Sequence, residues 1–217
     1  MRETETRVSR LYAVVDAEVS RRAGWTPPEL AKAYLEAGVR LLQVRAPGVA
    51  TATLCAWCQE IVELARPTGA QVLVNDRCDV ALMVGAAGVH LGQEDLPVGP
   101  ARTLLGTAAT IGLSTHDHHQ VERALQLPVS YLAVGPVYET TTKDTGYAAV
   151  GLGSVTRTAR LAGVRPVVAI GGITLETAPQ VIAAGAASVA VISDLLVGNS
   201  PATRARHYLE ALAPPNV

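Results

Sequence analysis

Residues 35–45, LEAGVRLLQVR, contain the pattern that decides the fold: a helical stretch stops at Gly38 and an aliphatic run follows almost at once. Glycine is favoured where a helix must end and the chain must turn, because it has no Cβ to obstruct a left-handed backbone. Pro27 and Pro28 stand at the head of the helical stretch, where their fixed φ angle suits a first helical turn. The stretch therefore predicts a helix, a tight turn and a strand at Leu41–Arg45.

The same transition recurs along the chain. Ala37-Gly38-Val39, Ala87-Gly88-Val89 and Ala184-Gly185-Ala186 each precede an apolar run, as expected if one helix-to-strand unit is repeated. Short aliphatic and β-branched runs alternate with helical periodicity throughout, which is typical of parallel β/α units. We predict strands at Leu11–Val15, Leu41–Arg45, Val72–Asn75, Val89–Leu91, Thr110–Leu113, Tyr131–Val134, Val167–Ile170 and Val189–Ile192.

Eight such units favour an α/β fold of the (β/α)8 or TIM-barrel type. A doubly wound open sheet is the rival architecture, but the first strand is not followed by the Gly-x-Gly-x-x-Gly sequence with which such folds bind dinucleotides. No linker or low-complexity tract divides the 217 residues. We therefore expect one barrel domain over residues 1–217, with loose ends before Arg7 and beyond Ala213.

The composition excludes several classes of partner. Lys and Arg number 18 against 19 for Asp and Glu, so no net charge attracts the chain to nucleic acid or to an anionic membrane. No apolar run approaches the ~20 residues that span a bilayer. The three cysteines, an odd number, fit a reducing compartment better than a disulfide framework. We expect a cytoplasmic protein that acts on small molecules, with the possibility of a homo-oligomer left open.

In a barrel, the residues that directly follow the strands are the informative ones, because catalysis occurs at the C-terminal ends of the strands. Strand two closes with Gln43 and Arg45, which point to the same side because they are two residues apart. A guanidinium fork suits a phosphate, and an amide can donate to and accept from the edge of a heterocycle. The alternative for Arg45 is an ion pair with a neighbouring carboxylate.

Two carboxylates follow adjacent strands: Asp76, beside Asn75, and Asp95. Carboxylate oxygens hold Mg²⁺ while leaving other coordination positions to water and a diphosphate. Each alone could cap a helix or join an ion pair, but together they predict a magnesium site. His90 stands inside an apolar strand and is predicted to be a hydrogen-bonded core histidine.

Strand five is followed by Ser114, which we expect to donate to a phosphate oxygen and also to begin the next helix. His116, His118 and His119 come next with Asp117 among them. Such a polar run is typical of a solvated helix start, so we do not predict a metal site there.

The last three strands are followed by hydroxyls and glycines. A loop after strand six contains Thr140, Thr141 and Thr142 and ends at Lys143, whose charge can oppose that of a departing diphosphate. The pair Gly171-Gly172 and the residues after strand eight can build a phosphate site from backbone N–H groups. A phosphate on one side and a diphosphate with a metal on the other predict a transfer reaction between two phosphorylated substrates.

Taken in order, these motifs resemble the thiamine phosphate synthase family, which joins a pyrimidine methyl diphosphate to a thiazole phosphate and releases diphosphate. The resemblance covers most of the chain, and its most specific part is the run from Gly88 to Pro97. It rests on Gln43-Val44-Arg45, Val74-Asn75-Asp76-Arg77, Gly88 to Pro97, Gly112-Leu113-Ser114-Thr115-His116, Gly135 to Lys143 and Ile170-Gly171-Gly172-Ile173.

The resemblance also implies roles for individual residues. The pyrimidine diphosphate is expected to bind Gln43, Arg45, Asn75, Ser114 and Lys143. The thiazole phosphate is expected to bind Thr140, Thr141, Thr142, Gly172, Ile192 and Ser193. Asp76 and Asp95 are expected to ligate Mg²⁺. Arg45, Ser114 and Lys143 are expected to promote catalysis by stabilising the leaving diphosphate.

One position departs from the family pattern. The strand-two motif usually continues Gln-x-Arg-x-Lys, and Pro47 stands where that lysine is expected. Proline has neither an ammonium nor an N–H, so one diphosphate contact is missing. Two alternatives to a synthase therefore stay open: a thiazole tautomerase on a similar barrel, and a barrel that binds a thiamine precursor without catalysis. Glu139, a negative charge before the threonines, has no functional explanation at this point.

Overall fold

Eight parallel strands form a closed barrel in which each strand pairs with its successor and the last pairs with the first. The computed structural model describes residues 8–140, 142, 146–198 and 200–214. The strands are β1 (Leu11–Asp16), β2 (Leu41–Arg45), β3 (Gln71–Asn75), β4 (Gly88–Leu91), β5 (Thr110–Thr115), β6 (Tyr131–Val134), β7 (Val167–Ile170) and β8 (Ser188–Val191). The predicted TIM-barrel fold is confirmed.

Helices connect the strands and surround the barrel. Among the described residues they are α1 (Ala17–Arg22), α2 (Pro27–Ala37), α3 (Thr51–Ala65), α4 (Cys78–Met83), α5 (Val98–Leu105), α6 (His118–Leu125), α7 (Gly151–Ala162), α8 (Ala178–Ala183) and α9 (Pro201–Ala211). The described residues also include two short 3-10 helices: Arg66–Thr68 follows α3, and Ser193–Leu196 follows β8.

The helix ahead of β2 has the start and stop signals that its sequence predicts. At its N-terminus, Thr26 and Glu29 form a reciprocal capping box: each side chain accepts a hydrogen bond from the backbone N–H of the other. At its C-terminus, Gly38 adopts the left-handed conformation with φ of 104°. The chain therefore leaves α2 and enters β2 within a few residues.

Alternate strand residues point into the barrel and form a compact interior cluster, while the opposite faces pack on the helices. The buried members of the interior cluster are Tyr12, Val14, Leu41, Leu73, Tyr131, Ala133, Val168 and Ala190. Because the side chains alternate, the inward-facing residues that follow this cluster along the strands, such as Asp16 on β1 and Asn75 on β3, lie toward the C-terminal opening of the barrel. Because all eight strands are parallel, their C-terminal ends surround the same opening of the barrel.

The predicted strands match the observed ones to within two residues at each end. The largest difference is in β5, which extends through Ser114 to Thr115. Thr115 is buried, and its hydroxyl donates to the carbonyl of Ala133 at 2.8 Å, so tertiary bonding keeps this polar pair in the strand. The expectation that Ser114 begins the next helix is therefore wrong; Asp117 caps α6 by accepting from the N–H of Gln120.

The cysteines are free thiols: Cys58 and Cys78 are buried and Cys55 is half-buried. Cys55 and Cys58 lie on α3, one turn apart. Within residues 8–140, 142, 146–198 and 200–214, no helix has the length and apolar character that crossing a membrane requires.

Candidate active site at the barrel mouth

At the end of β2, Arg45 pairs with Asp16, the last residue of β1. One carboxylate oxygen of Asp16 accepts from the guanidinium, and the other accepts from the backbone N–H groups of Glu18 and Val19 at the start of α1. The ion-pair alternative for Arg45 is thus observed. Sequence reasoning missed Asp16, although its place directly after a strand and before a helix was a usable signal.

Gln43 precedes Arg45 by two residues on β2, and its side chain is buried. Its Nε2 donates to the hydroxyl of Tyr12 at 2.8 Å, and that hydroxyl lies 3.1 Å from the hydroxyl of Tyr131. The Tyr131 hydroxyl is 2.8 Å from Nδ1 of His90, whose Nε2 is 2.8 Å from Oγ of Ser114. The prediction of a hydrogen-bonded core histidine is confirmed, and the two tyrosines are members of the network that the sequence did not reveal.

Asp76 and Asp95 follow neighbouring strands at the same opening. Asp76 has a left-handed backbone with φ of 62°, and its N–H donates to the carbonyl of His90 at 2.8 Å. Asp95 accepts from the N–H of Gly92 at 2.6 Å. Asn75, directly before Asp76, is the last residue of β3 and pairs in register with His90. Backbone bonds therefore fix the loops that carry both aspartates.

The charges of the two aspartates contribute to the raised pKa of one thiol, that of Cys78. Burial is the main cause that raises the pKa of Cys78, and the adjacent charge of Asp79 adds to it. The negative charges of Asp95 and Asp76 act in the same direction, with smaller effects. Among the described residues no group of three or more His, Cys, Asp or Glu side chains could hold a metal ion.

A cleft of about 890 Å³ opens over the ends of β5 to β8. Thr142 and Ser193 both line it with their hydroxyls 3.0 Å apart, and the Thr140 hydroxyl accepts from the N–H of Thr142 at 3.2 Å. Ile192 also lines the cleft. The structure thus brings together the predicted residues after β6 and β8. Thr141 and Lys143 lie outside the described residues.

The glycine pair after β7 packs directly against the loop after β6. Gly172 has φ of 62°, and a Cβ there would overlap the carbonyl of Glu139 and the side chain of Tyr138. Tyr138 also donates its N–H to the carbonyl of Gly171 at 3.0 Å. The glycines are therefore required for the contact between the two loops as well as for an open approach to an anion. The side chain of Glu139 is exposed at the cleft.

His116 differs from the expectation for the polar run that contains it. It precedes the cap of α6, and its ring stacks on Tyr147 with centroids 4.1 Å apart and an interplanar angle of 12°. Its Nδ1 lies 2.6 Å from the carbonyl oxygen of Gly135. The expectation of a solvated helix start holds for His118 and His119, which are exposed. His116 instead lines the cleft, because its contacts with Tyr147 and Gly135 hold it there.

Asp194 is a second carboxylate that the sequence did not single out. Its Oδ2 accepts from the N–H of Leu175 at 3.1 Å, from Nη2 of Arg204 at 2.8 Å and from the hydroxyl of Tyr208 at 2.6 Å. One carboxylate therefore joins the loop after β7, the 3-10 helix after β8 and α9. It follows Ser193 directly, so it supports the backbone of the cleft.

Pro47, the departure from the family motif, is exposed in a tight turn after β2. The turn is closed by a hydrogen bond from the N–H of Val49 to the carbonyl of Ala46 at 3.3 Å, and Gly48 supplies the positive φ of 76°. Proline and glycine suit this turn, and the position carries no cation.

Comparison with known proteins agrees with these features. The sequence profile of the thiamine monophosphate synthase family matches residues 11–195. The thiamine-phosphate synthase of Acidothermus cellulolyticus is 41% identical over 206 residues, which cover 94% of this chain and 95% of that protein. The thiamine biosynthesis bifunctional protein ThiM/ThiE of Symbiobacterium thermophilum is 43% identical over 188 residues. That alignment covers 87% of this chain but only 39% of the longer bifunctional protein.

A solved structure shares the architecture. Thiamine phosphate pyrophosphorylase from Pyrococcus furiosus superposes with a TM-score of 0.84 and 28% sequence identity, covering 94% of this chain and 95% of that one. The family profile, the relatives and the barrel agree over most of the chain. The chain therefore belongs to the thiamine monophosphate synthase family.

Proposed function

We propose that this chain is a magnesium-dependent thiamine-phosphate synthase, a transferase that joins a pyrimidine methyl diphosphate to a thiazole phosphate. One observation carries the proposal beyond family membership. Among the described residues, those expected to hold a diphosphate, at the ends of β2, β3 and β5, and those expected to hold a phosphate, after β6 to β8, are at the same end of one closed barrel. Two phosphorylated substrates can therefore meet over the strand ends.

We assign the pyrimidine diphosphate to Gln43, Arg45, Asn75, Ser114 and Lys143. The contact between Arg45 and Asp16 supports this assignment, because it holds the guanidinium at the mouth with donors left for an anion. Ser114 lines the cleft beside these strand ends and can donate its hydroxyl proton to the diphosphate. Lys143 is assigned by its sequence motif, and its charge would oppose the charge that develops on the leaving group.

We assign Mg²⁺ to Asp76 and Asp95. The donor chemistry fits: both are carboxylates on loops fixed by hydrogen bonds, and the two loops follow neighbouring strands of the barrel. Two carboxylates are the usual protein contribution to a magnesium ion that also binds substrate phosphates. When bound, Mg²⁺ would neutralise negative charge on the diphosphate.

We assign the thiazole phosphate to Thr140, Thr141, Thr142, Gly172, Ile192 and Ser193. The contact between the hydroxyls of Thr142 and Ser193 supports the assignment, because it joins donors from two loops on one wall of the cleft. The glycine at position 172 leaves backbone N–H groups unobstructed by a side chain. Asp194 holds the backbone of this region through its bonds to three segments.

The reaction needs no protein nucleophile. The bond from the pyrimidine methylene carbon to the diphosphate oxygen breaks, and the diphosphate takes the electron pair. The electron-rich aminopyrimidine can delocalise the positive charge left on carbon. The thiazole nitrogen then donates its lone pair to form the new carbon–nitrogen bond. Arg45, Ser114 and Lys143 stabilise the departing charge, while the cleft holds the thiazole at attack distance.

The thiazole tautomerase alternative would use the phosphate cleft alone and would leave Asp76, Asp95 and Arg45 without a role. The non-catalytic alternative would bind a precursor without releasing diphosphate. The names of the relatives favour the synthase over both. Free thiols on the buried cysteines support a cytoplasmic location.

Purified protein should be incubated with both substrates, with Mg²⁺ or with EDTA, and thiamine phosphate and diphosphate measured by chromatography. The proposal expects both products in equal amounts with Mg²⁺ and a loss of turnover with EDTA. Isomerisation of the thiazole phosphate alone would support the tautomerase instead. Binding of either substrate without any product would support the non-catalytic barrel.

A further inference from the structure

A continuous hydrogen-bond chain crosses the barrel interior from Gln43 through Tyr12, Tyr131 and His90 to Ser114. Its two ends are residues that the proposed function assigns to the pyrimidine diphosphate. Its three middle members are buried and do not line the cleft. The interior also makes room for the chain: at Gly112 on β5, a Cβ would overlap the ring of Tyr131.

The donor-to-acceptor direction of this series of hydrogen bonds follows from Gln43, its first member. The amide nitrogen of Gln43 can only donate, so the hydroxyl oxygen of Tyr12 accepts from it. Tyr12 then has one proton to give, and the other hydrogen-bond partner of its hydroxyl among the described residues is the hydroxyl of Tyr131. Burial raises the pKa of both phenols above the usual range, so each keeps its proton.

The hydrogen bonds keep the same direction from Tyr131 to the cleft. Tyr131 accepts from Tyr12 and therefore directs its own proton to Nδ1 of His90. A neutral imidazole that accepts at Nδ1 carries its proton on Nε2, and that proton points to Oγ of Ser114. Because Ser114 accepts from His90, its own hydroxyl proton is directed away from the histidine and toward the cleft.

We propose that Tyr12, Tyr131 and His90 are positioning residues that orient the Ser114 hydroxyl as a hydrogen-bond donor to the leaving diphosphate. The inference rests on the proposed function for the identity of that acceptor. The orientation itself follows from the directions of these hydrogen bonds when both phenols are protonated and His90 is neutral. A serine oriented in advance donates in the transition state without first having to rotate away from another partner.

The kinetic test compares two tyrosine-to-phenylalanine variants. Tyr131→Phe removes the central hydroxyl of the chain and keeps the ring. Tyr34→Phe is the matched control, because Tyr34 is fully buried on α2 and its hydroxyl has no hydrogen-bond partner within the described part of the chain. We expect Tyr131→Phe to lower kcat/KM for the pyrimidine diphosphate about tenfold, the usual effect of one lost hydrogen bond. The KM for the thiazole phosphate and the Tyr34→Phe kinetics should change less than twofold.

A double-mutant cycle with Ser114→Ala separates positioning from a general structural effect. If Tyr131 acts through Ser114, then Tyr131→Phe should have almost no further effect on kcat/KM once Ser114 is alanine. Multiplicative losses, with each variant costing the same in either background, would overturn the proposal. Circular dichroism and thermal unfolding should show that all variants remain folded.

A second measurement does not depend on activity. The ¹⁵N chemical shifts of His90, assigned by their loss in His90→Gln, should show an unprotonated Nδ1 and a protonated Nε2. Tyr131→Phe should move the Nδ1 resonance and Tyr34→Phe should not. A protonated Nδ1 in the native protein would overturn the proposal. Complete absence of thiamine phosphate formation, together with the expected tautomer, would instead reject the proposed function and keep the orientation.

Discussion

Arg45 at the end of β2 donates to Oδ2 of Asp16 at the end of β1, while Oδ1 of the same carboxylate caps α1. The side chains are 17% and 4% exposed, so the pair is screened only partly by water. The buried Asp16 carboxylate thus both pairs with Arg45 and caps α1, and each of its oxygens makes one of these contacts. A substitution at Asp16 can therefore remove the ion pair and keep the helix cap.

Asp16→Asn should lower kcat/KM for the pyrimidine diphosphate about tenfold, because Arg45 loses the charged partner that orients it. Asparagine is itself a good helix cap, so α1 should remain intact. Asp16→Ala should show the same kinetic loss and in addition lose about 1 kcal/mol of unfolding free energy through the missing cap. Glu18→Gln on the exposed face of α1 is the control. Unchanged kinetics in Asp16→Asn would show that Arg45 does not need this contact.

Asp76→Asn should abolish most Mg²⁺-dependent turnover without unfolding the barrel. Asparagine tolerates the left-handed backbone at φ of 62°, so the substitution removes charge and not loop geometry. Asp76→Ala should lose the same activity and also about 1 kcal/mol of stability through backbone strain. The control is Asp79→Asn, since Asp79 pairs with Arg77 at the surface. Titration calorimetry with Mg²⁺ and diphosphate checks the assignment; undiminished metal binding in Asp76→Asn would contradict it.

Pro47→Lys should make inorganic diphosphate a stronger inhibitor, by about tenfold, if a lysine at this turn reaches the diphosphate. The substitution gives up a turn-compatible proline, so a small loss of stability of about 0.5 kcal/mol is expected. Pro47→Ala separates the two effects because it loses the proline without adding a charge. Equal inhibition constants for the lysine and alanine variants would show that position 47 points away from the site.

Gly112→Ala should destabilise the protein by about 1–3 kcal/mol, because the added methyl overlaps the Tyr131 ring and the strand cannot move away. It should also lower activity by displacing the hydroxyl chain. Gly99→Ala on α5 is the matched control: nothing lies within 4 Å of its Cβ position, and alanine favours the helix. Denaturant unfolding compares the two. Equal stabilities would mean that the interior adjusts more easily than this packing implies.

Alkaline pH should weaken the fold through Cys58. Burial, with a smaller contribution from the nearby Cys55, raises the pKa of the Cys58 thiol from 9.0 to about 12. Between these values the unfolded chain loses this proton and the folded chain keeps it. The free energy of unfolding should therefore fall as pH rises above about 9, by at most ~1.4 kcal/mol per pH unit for one group. Cys58→Ala should lose stability less steeply above pH 9, because Cys78, whose pKa is also raised by burial, still contributes there, and the buried tyrosines contribute nearer pH 10. Identical pH profiles would contradict this assignment.

The barrel could be predicted from sequence because its determinants are local. Aliphatic runs, glycine stops and proline starts recur in each unit, and their alternation is enough to imply parallel strands with helices between them. The end of β5 could not be predicted in this way. Ser114 and Thr115 have side chains that favour turns and caps, and only their bonds to neighbouring strands keep them extended.

The site was predictable as a set of strand-end residues but not as a set of contacts. Arg45 and Asp16 are 29 positions apart in sequence, and Tyr12 and Tyr131 are 119 apart. Such pairs leave no periodic signal, because closure of the barrel brings them together. Tyr12 and Tyr131 also look like ordinary apolar strand residues, so their shared polar function is visible only in three dimensions.

The bonds of Asp194 have a practical consequence for protein engineering. The Asp194 carboxylate accepts hydrogen bonds from Arg204 and Tyr208, which both lie on α9. Helix α9 therefore supports the cleft that we assign to the thiazole phosphate. A chain shortened ahead of Arg204 would leave this partly buried carboxylate without the guanidinium that pairs with it. Fusions and deletions near this end should therefore spare the last helix, even though it supplies no side chain to the cleft.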